Sequence, residues 1–493
     1  MSLSFLSTTV VVLFGLLVEA VAVPGSANWP QFRGPNASGV AMGNKAPIEF
    51  GPTKALAWKR PVPAGHSSPA IWGERIFLTT VDQPTSKLEL LCLSTKDGEI
   101  LWRRAIPAAQ LETVHAVSNA ATATPVVDDE AVYAYFGSYG VAAFDHAGKE
   151  RWSIPLPAIK TTQGSGTSPI VAGETLVLNR DSAENGFLLA LDRRTGKRLW
   201  KVDYPVPQGR RAESYSTPVV WRGQIVLHRL GVVEAYDLKD GRRVWWVNAN
   251  TTGTSTVVAE GDVIYAATWS PFGEADQFPT PPEFAVLLKE NDKDGNGQIS
   301  ASEFPSTVYI FSRPDMPDVP GAAMPVAQVF PNIDQNKDGQ MSEAEWTQTI
   351  GFIKTMKREH GVLAIKPDGE GDLTSKVVWA EKLAVPEVPS PLLYQDRLYV
   401  VRNGGILTCL DAASGKVVYR SRVGAPGPYY SSPIAANGRI YVASGEGTVT
   451  VVTPGAELTV AAKNDLGEPI YATPAIAGGT LYVRTTGHLY AFR

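Results

Sequence analysis

Residues 166–200 read GTSPIVAGETLVLNRDSAENGFLLALDRRTGKRLW. A Thr-Ser-Pro run opens the stretch, and apolar residues then alternate with others on both sides of a turn at Gly173. A second pair of apolar runs flanks the turn Asp192–Gly196 and ends in Trp200. Period-two alternation broken by Gly and Asp turns predicts two β-hairpins, hence four strands. Both anchors recur along the chain. The hydroxyl–proline anchor returns as SSPAIWGERIFL, TATPVVDDEAVYAY, YSTPVVWRGQIVL, VPSPLLYQDRLYV, YSSPIAANGRIYV and YATPAIAGGTLYV. With Pro169, the prolines are Pro69, Pro125, Pro218, Pro391, Pro433 and Pro474, and a proline-free copy, GTSTVVAEGDVIYAA, places Thr256 at the same point. The second anchor returns as VAAFDHAGKERW, VEAYDLKDGRRVWW and LTCLDAASGKVVY, its aromatic standing 27–33 residues after the proline.

Four strands in a period of about 40–50 residues make a propeller blade. The copies number eight, and closure agrees with that count. The last copy begins at Pro474 and the sequence ends at Arg493 after three strands, so its fourth strand must come from elsewhere. ALAWKRPV supplies it: Trp58 precedes Pro69 by 11 residues, as Trp245 precedes Thr256. The expected fold is therefore all-β, an eight-bladed β-propeller with four-stranded blades closed by an N-terminal strand. Closure leaves no free sheet edge. It also predicts that removing residues 50–62 opens the ring, whereas removing residues 23–35 costs far less stability.

Composition restricts the function. Of 493 residues, 44% are hydrophobic and 19% charged, which suits a folded core. Lys and Arg total 45 against 49 Asp and Glu, a net charge of -4 that argues against a nucleic-acid partner. Two cysteines cannot build a disulfide framework. Cys92 and Cys409 occupy equivalent places in two repeats, too far apart to pair, and read as buried small hydrophobes. The apolar run Val10–Val18 followed by Ala20-Val21-Ala22 reads as a signal peptide, residues 1–22, and Glu19 ends the run short of a membrane span. The mature protein is expected to be exported and soluble, periplasmic or extracellular, with no transmembrane segment.

The repeat LALDRRTGKRLW resembles that of the pyrroloquinoline-quinone-type β-propeller family, and NWPQFRGPNASGVA resembles the head of its secreted members. The resemblance covers roughly residues 28–270 and 361–493. It implies the propeller fold and leaves two functions open. Many such proteins are named quinone-binding-like without holding quinone. The dehydrogenases commonly stack the quinone on a ring formed by adjacent cysteines, beside a carboxylate base and calcium. This sequence has no adjacent cysteines, and no catalytic base is assigned. The expected function is an exported, non-catalytic scaffold binding a protein or polysaccharide partner, with no quinone; the alternative is a pyrroloquinoline-quinone-dependent dehydrogenase. A carbohydrate-binding surface of exposed aromatics is a variant of the first.

Other polar positions have structural readings. Trp152, Trp200, Trp245 and Trp379 dock each blade on the next. Asp145, Asp192, Asp237 and Asp411 form turns, because Asp accepts backbone N–H bonds there. His66, His115, His228 and His488 lack ligand or triad spacing.

One interval breaks the period. Thr256 to Pro391 spans 135 residues, about 90 more than one blade needs. The propeller is thus divided into residues 23–270 and 361–493 around an inserted module, residues 271–360. Helix-forming stretches FAVLLKEND and EAEWTQTIGFIKTMKREHG mark the insertion as an EF-hand pair with two twelve-residue calcium loops. In DKDGNGQISASE, residues 292–303, Asp292, Asp294, Asn296, Gln298, Ser300 and Glu303 take the ligand positions. In DQNKDGQMSEAE, residues 334–345, Asp334, Asn336, Asp338, Gln340, Ser342 and Glu345 do so. Calcium takes six to eight oxygens around a sharp turn, and Gly297 and Gly339 stand where it is sharpest. Ile299 and Met341 are placed to pair the loops as short strands. Pro305 interrupts the helix expected after Glu303 and puts coupling of the two loops in question.

Overall fold

Each hairpin pair closes as its turns dictate. In the computed structural model, the stretch quoted first is an antiparallel sheet of Ile170–Ala172, Thr175–Arg180, Phe187–Asp192 and Arg198–Asp203. The structure describes residues 28–493 apart from 83, 183, 206–212, 271–278, 313–322 and 356–359, so the signal-peptide reading lies outside the described residues. Eight such sheets, with innermost strands beginning at Ala70, Val126, Ile170, Val219, Val258, Leu392, Ile434 and Ala475, form an eight-bladed β-propeller. Its last blade is completed by Leu56–Pro61, which pairs antiparallel with His488–Phe492 and sets Trp58 opposite Ala491. The ring therefore closes where Trp58 placed it.

Burial departs from the alternation expected throughout. Ala131–Phe136 is buried at every residue, while the outermost strand Ile100–Ile106 alternates. Neighbouring blades cover both faces of the inner strands, so only the outermost strand keeps one face in water.

Two contacts repeat around the ring. The first lies at the hub, where each Ser or Thr preceding the anchor proline accepts the backbone N–H of its counterpart in the preceding blade. Ser68 N donates to Thr124 Oγ1 (2.9 Å), Thr124 N to Ser168 Oγ (2.9 Å), Ser168 N to Thr217 Oγ1 (3.1 Å) and Thr217 N to Thr256 Oγ1 (3.0 Å). The series continues through Ser390, Ser432 and Thr473, each at 3.0 Å. This corrects one register: Thr256 is the hydroxyl residue, and Val257 stands where the other copies carry proline. Between blades eight and one, the buried Arg484 bridges, its Nη1 donating to Ser67 O (3.0 Å) and Thr79 O (3.0 Å).

The second contact explains why the repeat reads Asp–x–x–Thr–Gly. Asp192 Oδ1 accepts from Thr195 N (2.8 Å) and Thr195 Oγ1 (2.7 Å), fixing the turn. Gly196 then adopts φ +72, and a Cβ there would stand 2.8 Å from the Trp152 ring of the preceding blade. Trp152 Nε1 donates to Arg193 O (3.0 Å) in the same turn. The indole is seated on a glycine that no other residue could replace without both strain and overlap. Trp58, Trp102, Trp200 and Trp379 donate likewise to the following blade. Trp245 does not, although it shares one buried core with Ile264, Leu363 and Ile365 of blade five, as expected of a docking residue. Its Nε1 donates to Gln224 Oε1 (2.8 Å) within its own blade, and Trp221 reaches Gly261 O (3.1 Å) instead. Blade five lacks the Asp–Gly turn, and its Gly371–Asp372 segment pairs parallel with the strand carrying Trp245.

The segment before the closing strand is also structural. Trp29 exchanges two backbone hydrogen bonds with Ile71 (2.8 Å each), and Pro30 O accepts Val127 N (2.8 Å). The Asn36 side chain bonds the Val220 backbone twice, Nδ2 donating to Val220 O and Oδ1 accepting Val220 N (3.0 Å each), and Val40–Ala41 pairs parallel with Ile434–Ala436. Arg33 is fully buried, donates to Pro391 O, and is lowered by burial to about 9. Residues 28–41 thus tie five blades across the hub. Within residues 23–35, the described part therefore carries contacts of its own through Trp29, Pro30 and Arg33, which raises the cost expected for its removal.

The insertion leaves after Val263–Thr268 and returns at Gly361–Ile365, which pair with each other. Thr268 Oγ1 donates to Gly361 O and accepts Gly361 N, both at 2.9 Å. Helices α1 (Phe284–Asn291), α2 (Val326–Ile333) and α3 (Glu343–Thr355) lie within it. Its own core includes Phe284, Leu287, Ile299, Phe304, Phe330, Met341 and Trp346.

The hub ring yields a test. Thr124→Val keeps the shape but leaves the buried Ser68 N–H unpaired, and should lower the unfolding free energy by about 1–3 kcal/mol. Urea unfolding measures it; an unchanged midpoint would mean the ring does not join the blades.

Candidate functional site: the axial cavity and the inserted loops

All eight hydroxyl residues of the hub line a cavity of about 670 Å³. The rest of its wall comes from the links between blades. These loops run from an outermost strand back to the next innermost one, so they must cross the propeller's end and meet at the axis. His115, Val117 and Ser118 come from one link, Thr162 and Gln163 from the next, and Glu213 and Tyr215 from the third. Glu387, Tyr430, Tyr471 and His66 complete the circuit, with Phe32 from the N-terminal segment and Trp269 from the edge of the insertion. Among the described residues no Lys or Arg lines it.

The wall is braced by carboxylates. Glu213 Oε2 accepts from Thr162 N (2.8 Å), Thr162 Oγ1 (2.6 Å) and Tyr215 OH (2.8 Å), joining two links. Glu387 Oε2 accepts from Asn403 Nδ2 (3.1 Å). Glu112, buried behind the wall, accepts from Ser165 N and Ser165 Oγ, both 2.8 Å, and so ties the link bearing His115 to its neighbour. Burial pushes its carboxyl up to about 7, against the pull of the Ser165 hydrogen bonds. The His66 ring stacks at 4.5 Å on Tyr471, and Tyr471 at 5.3 Å on Tyr430. Burial, with the Arg484 charge, lowers His66 to about 4, so the ring is neutral at pH 7.

Histidines without sequence spacing thus divide. His66 and His115 reach the cavity, whereas His228 is a core residue bonded to Ser255 O (2.8 Å) and Thr251 Oγ1 (2.7 Å). His488 pairs with Glu468. Glu213, Glu387, Tyr215, Tyr430 and Tyr471 had no motif to single them out. The available signal was position: each falls between a blade's last strand and the next hydroxyl anchor. Cys92 and Cys409 are buried and free, in blades one and six.

The inserted loops bring their acidic residues together. Ligand-capable oxygens of Asp292, Asp294 and Glu303 lie within 4.8 Å of one another. Glu303 accepts from Ser300 N (3.0 Å), Ser300 Oγ (2.8 Å) and Lys293 N (2.9 Å), and these bonds hold its carboxyl down at about 2. In the second loop, Glu345 accepts from Ser342 N (3.0 Å), Ser342 Oγ (2.7 Å) and Gln335 N (2.9 Å). Although burial opposes it, the carboxyl stays below its usual value. Asp334 Oδ1 and Gln340 Oε1 are buried with no hydrogen-bond partner. Asn296, Gln298, Asn336, Asp338 and Ser342 flank these groups, with Gly297 and Gly339 both at φ 79. The two loops pair through Ile299 opposite Met341. No helix follows Glu303. Residues 301–304 form a turn before Pro305, and Tyr309–Ser312 runs on as a strand paired with Ala323–Pro325.

With this geometry in hand, the sequence matches a family described as outer membrane protein assembly factor BamB over residues 51–276 and 359–492. The chain belongs to that family. The unmatched interval between the two segments contains the inserted loops. Among its relatives, BamB of Shewanella oneidensis is 26% identical over 355 residues, 67% of this chain and 84% of that protein. A polyvinylalcohol dehydrogenase from a Pseudomonas species is 22% identical across 68% of this chain, which spans about half of that protein's length (47%). A solved europium-containing methanol dehydrogenase shares the fold, with TM-score 0.57 and 11% identity over 94% of this chain and 98% of its own. The chain is thus similar in sequence to an assembly factor and, more weakly, to a dehydrogenase, and it shares a fold with a second dehydrogenase.

Glu112 gives the cavity a pH dependence. Its folded value near 7 lies above the ordinary 4.5, so its stabilising contribution is complete below pH about 4.5 and lost as pH rises through about 7. Relative to Glu112→Gln, the wild type should lose on the order of 1–3 kcal/mol across that window, measured by urea unfolding. Parallel curves would show the carboxyl is not the titrating group.

Proposed function

We propose that this chain is an exported, non-catalytic propeller scaffold that engages a protein partner, and that its two inserted loops bind calcium. Membership of the BamB family supports the scaffold role, since the S. oneidensis relative is by name an outer membrane assembly factor. Among the described residues no helix is long and apolar enough to cross a membrane. The observation that carries the non-catalytic reading is the axial wall. It offers two carboxylates, aromatics and hydroxyls, with no Lys or Arg among the described residues. That wall does not suit pyrroloquinoline quinone, whose three carboxylates call for cationic partners. The cysteines sit singly in separate blades, so the stacking ring of such dehydrogenases has no counterpart either.

Calcium is supported by the donor set itself. Buried carboxylate and amide oxygens without partners, as at Asp334 and Gln340, are costly unless a cation takes them. Asp292, Asp294, Asn296, Ser300 and Glu303 would supply side-chain oxygens in the first loop, with a carbonyl at Gln298. Asp334, Asn336, Asp338, Ser342 and Glu345 would do so in the second, with a carbonyl at Gln340. The bound ion would neutralise the clustered carboxylates and order the module around its Phe304–Trp346 core (ring centroids 5.5 Å). The paired strands at Ile299 and Met341 connect the loops, but the helix missing after Glu303 leaves the first with only one flanking helix.

Calorimetry tests the reading. Calcium added to chelated protein should release or take up heat at an affinity no weaker than about 10⁻³ M, and Glu345→Gln should weaken that loop by about ten- to a hundredfold. Chelator should loosen the insertion and leave the blades folded, as read by near-UV signals and limited proteolysis. Absence of heat, or loss of blade structure with chelator, would refute the calcium half. Failure of the exported chain to retain any envelope protein in crosslinking would refute the scaffold half.

A further inference from the structure

The axial cavity is itself built as a binding site, and its chemistry is narrow. Glu213 is buried, 8% exposed, yet it lines the cavity. Its three hydrogen bonds, from Thr162 and Tyr215, all fall on Oε2. Among the described residues, no hydrogen bond is made to Oε1, that oxygen is not among the buried unpartnered atoms, and the residue lines the cavity. Thr162 and Tyr215 therefore hold the carboxylate in one orientation with one oxygen presented inward. Glu387 lines the same space. Two buried arginines, Arg33 and Arg484, donate to backbone carbonyls, Arg33 to Pro391 O and Arg484 to Ser67 O and Thr79 O, and neither lines the wall.

A buried carboxylate in a half-open wall that no described Lys or Arg lines favours a ligand that brings the positive charge. Across the ring of links, the His66–Tyr471–Tyr430 stack supplies π-faces suited to a cation or to its apolar body. Anionic ligands are disfavoured by the same charge, and a neutral saccharide would leave it uncompensated. We infer that the axial cavity binds an organic ammonium group, with Glu213 as its counter-ion and the Tyr430–Tyr471–His66 stack as the platform for the attached apolar body. The ammonium can belong to a free amine or to a lysine side chain of a partner. This rests on the reading of the propeller as a binding protein and does not depend on the calcium loops.

The test uses the full mature chain in chelator, so that its outcome is separate from calcium binding. Benzylamine, benzyl alcohol and benzoate, similar in shape and differing in charge, are titrated by calorimetry, alongside a capped tripeptide containing one lysine. Benzylamine should bind, with Glu213→Gln weakening it at least about tenfold, as expected for loss of a charged hydrogen bond. Benzyl alcohol and benzoate should bind far more weakly. Tighter binding of the tripeptide would assign a polypeptide source, and binding of benzylamine alone a small amine. Equal binding of benzyl alcohol, an unaltered affinity in Glu213→Gln, or no binding of either amine at millimolar concentration would overturn the proposal. Should the variant fail to fold, the amine-to-alcohol comparison on the wild type still decides.

Discussion

The molecule depends on the hydrogen bond that passes from the backbone N–H of one hub residue to the hydroxyl of the next. A ring of blades must satisfy the backbone of every innermost strand where it starts, close to the axis and away from bulk water. A side-chain hydroxyl does this at seven of the eight junctions, accepting the preceding blade's N–H, and in all copies but Thr256 the next residue is a proline with no N–H of its own to satisfy. Because the hub residues between the two ends of the series each donate to one neighbour and accept from the other, the blades are set in rotation by a chain of short bonds. At the seam the chain is continued by Arg484, whose guanidinium spans blades eight and one.

From this inner constraint the outer contacts follow. Blades fixed at the hub diverge outward, and the gap between them is filled by the indole of one blade lying on the glycine turn of the next. The Trp152–Gly196 seat shows the rule and Trp245 its exception. Where blade five gives up its Asp–Gly turn, the tryptophan turns inward and Trp221 makes the link from a different strand. The contact between blades is preserved while the residue that makes it changes.

The same geometry creates the cavity. Links between blades are forced across the axis, so their side chains converge although they are far apart in sequence. Glu213, Tyr430 and His66 come from three different links and share no motif. The insertion, by contrast, leaves from a hairpin turn secured by Thr268 and Gly361 and carries its own core, so it adds a second site without disturbing the ring.

By itself, the sequence determined what is local and periodic: eight four-stranded blades, the closing strand at Trp58, the Asp turns and the two acidic loops, because hairpin alternation, turn residues and loop spacing are set by near neighbours. It misjudged Thr256 by one residue and did not show that the Trp245 indole bonds within its own blade, since those depend on what the adjacent blade presents. It also undervalued residues 28–35, whose Trp29, Pro30 and Arg33 bond to blades one, two and six. The tertiary structure alone decided which link residues face the axis, for that depends on ring closure bringing together side chains hundreds of positions apart, and no short-range pattern encodes such a meeting.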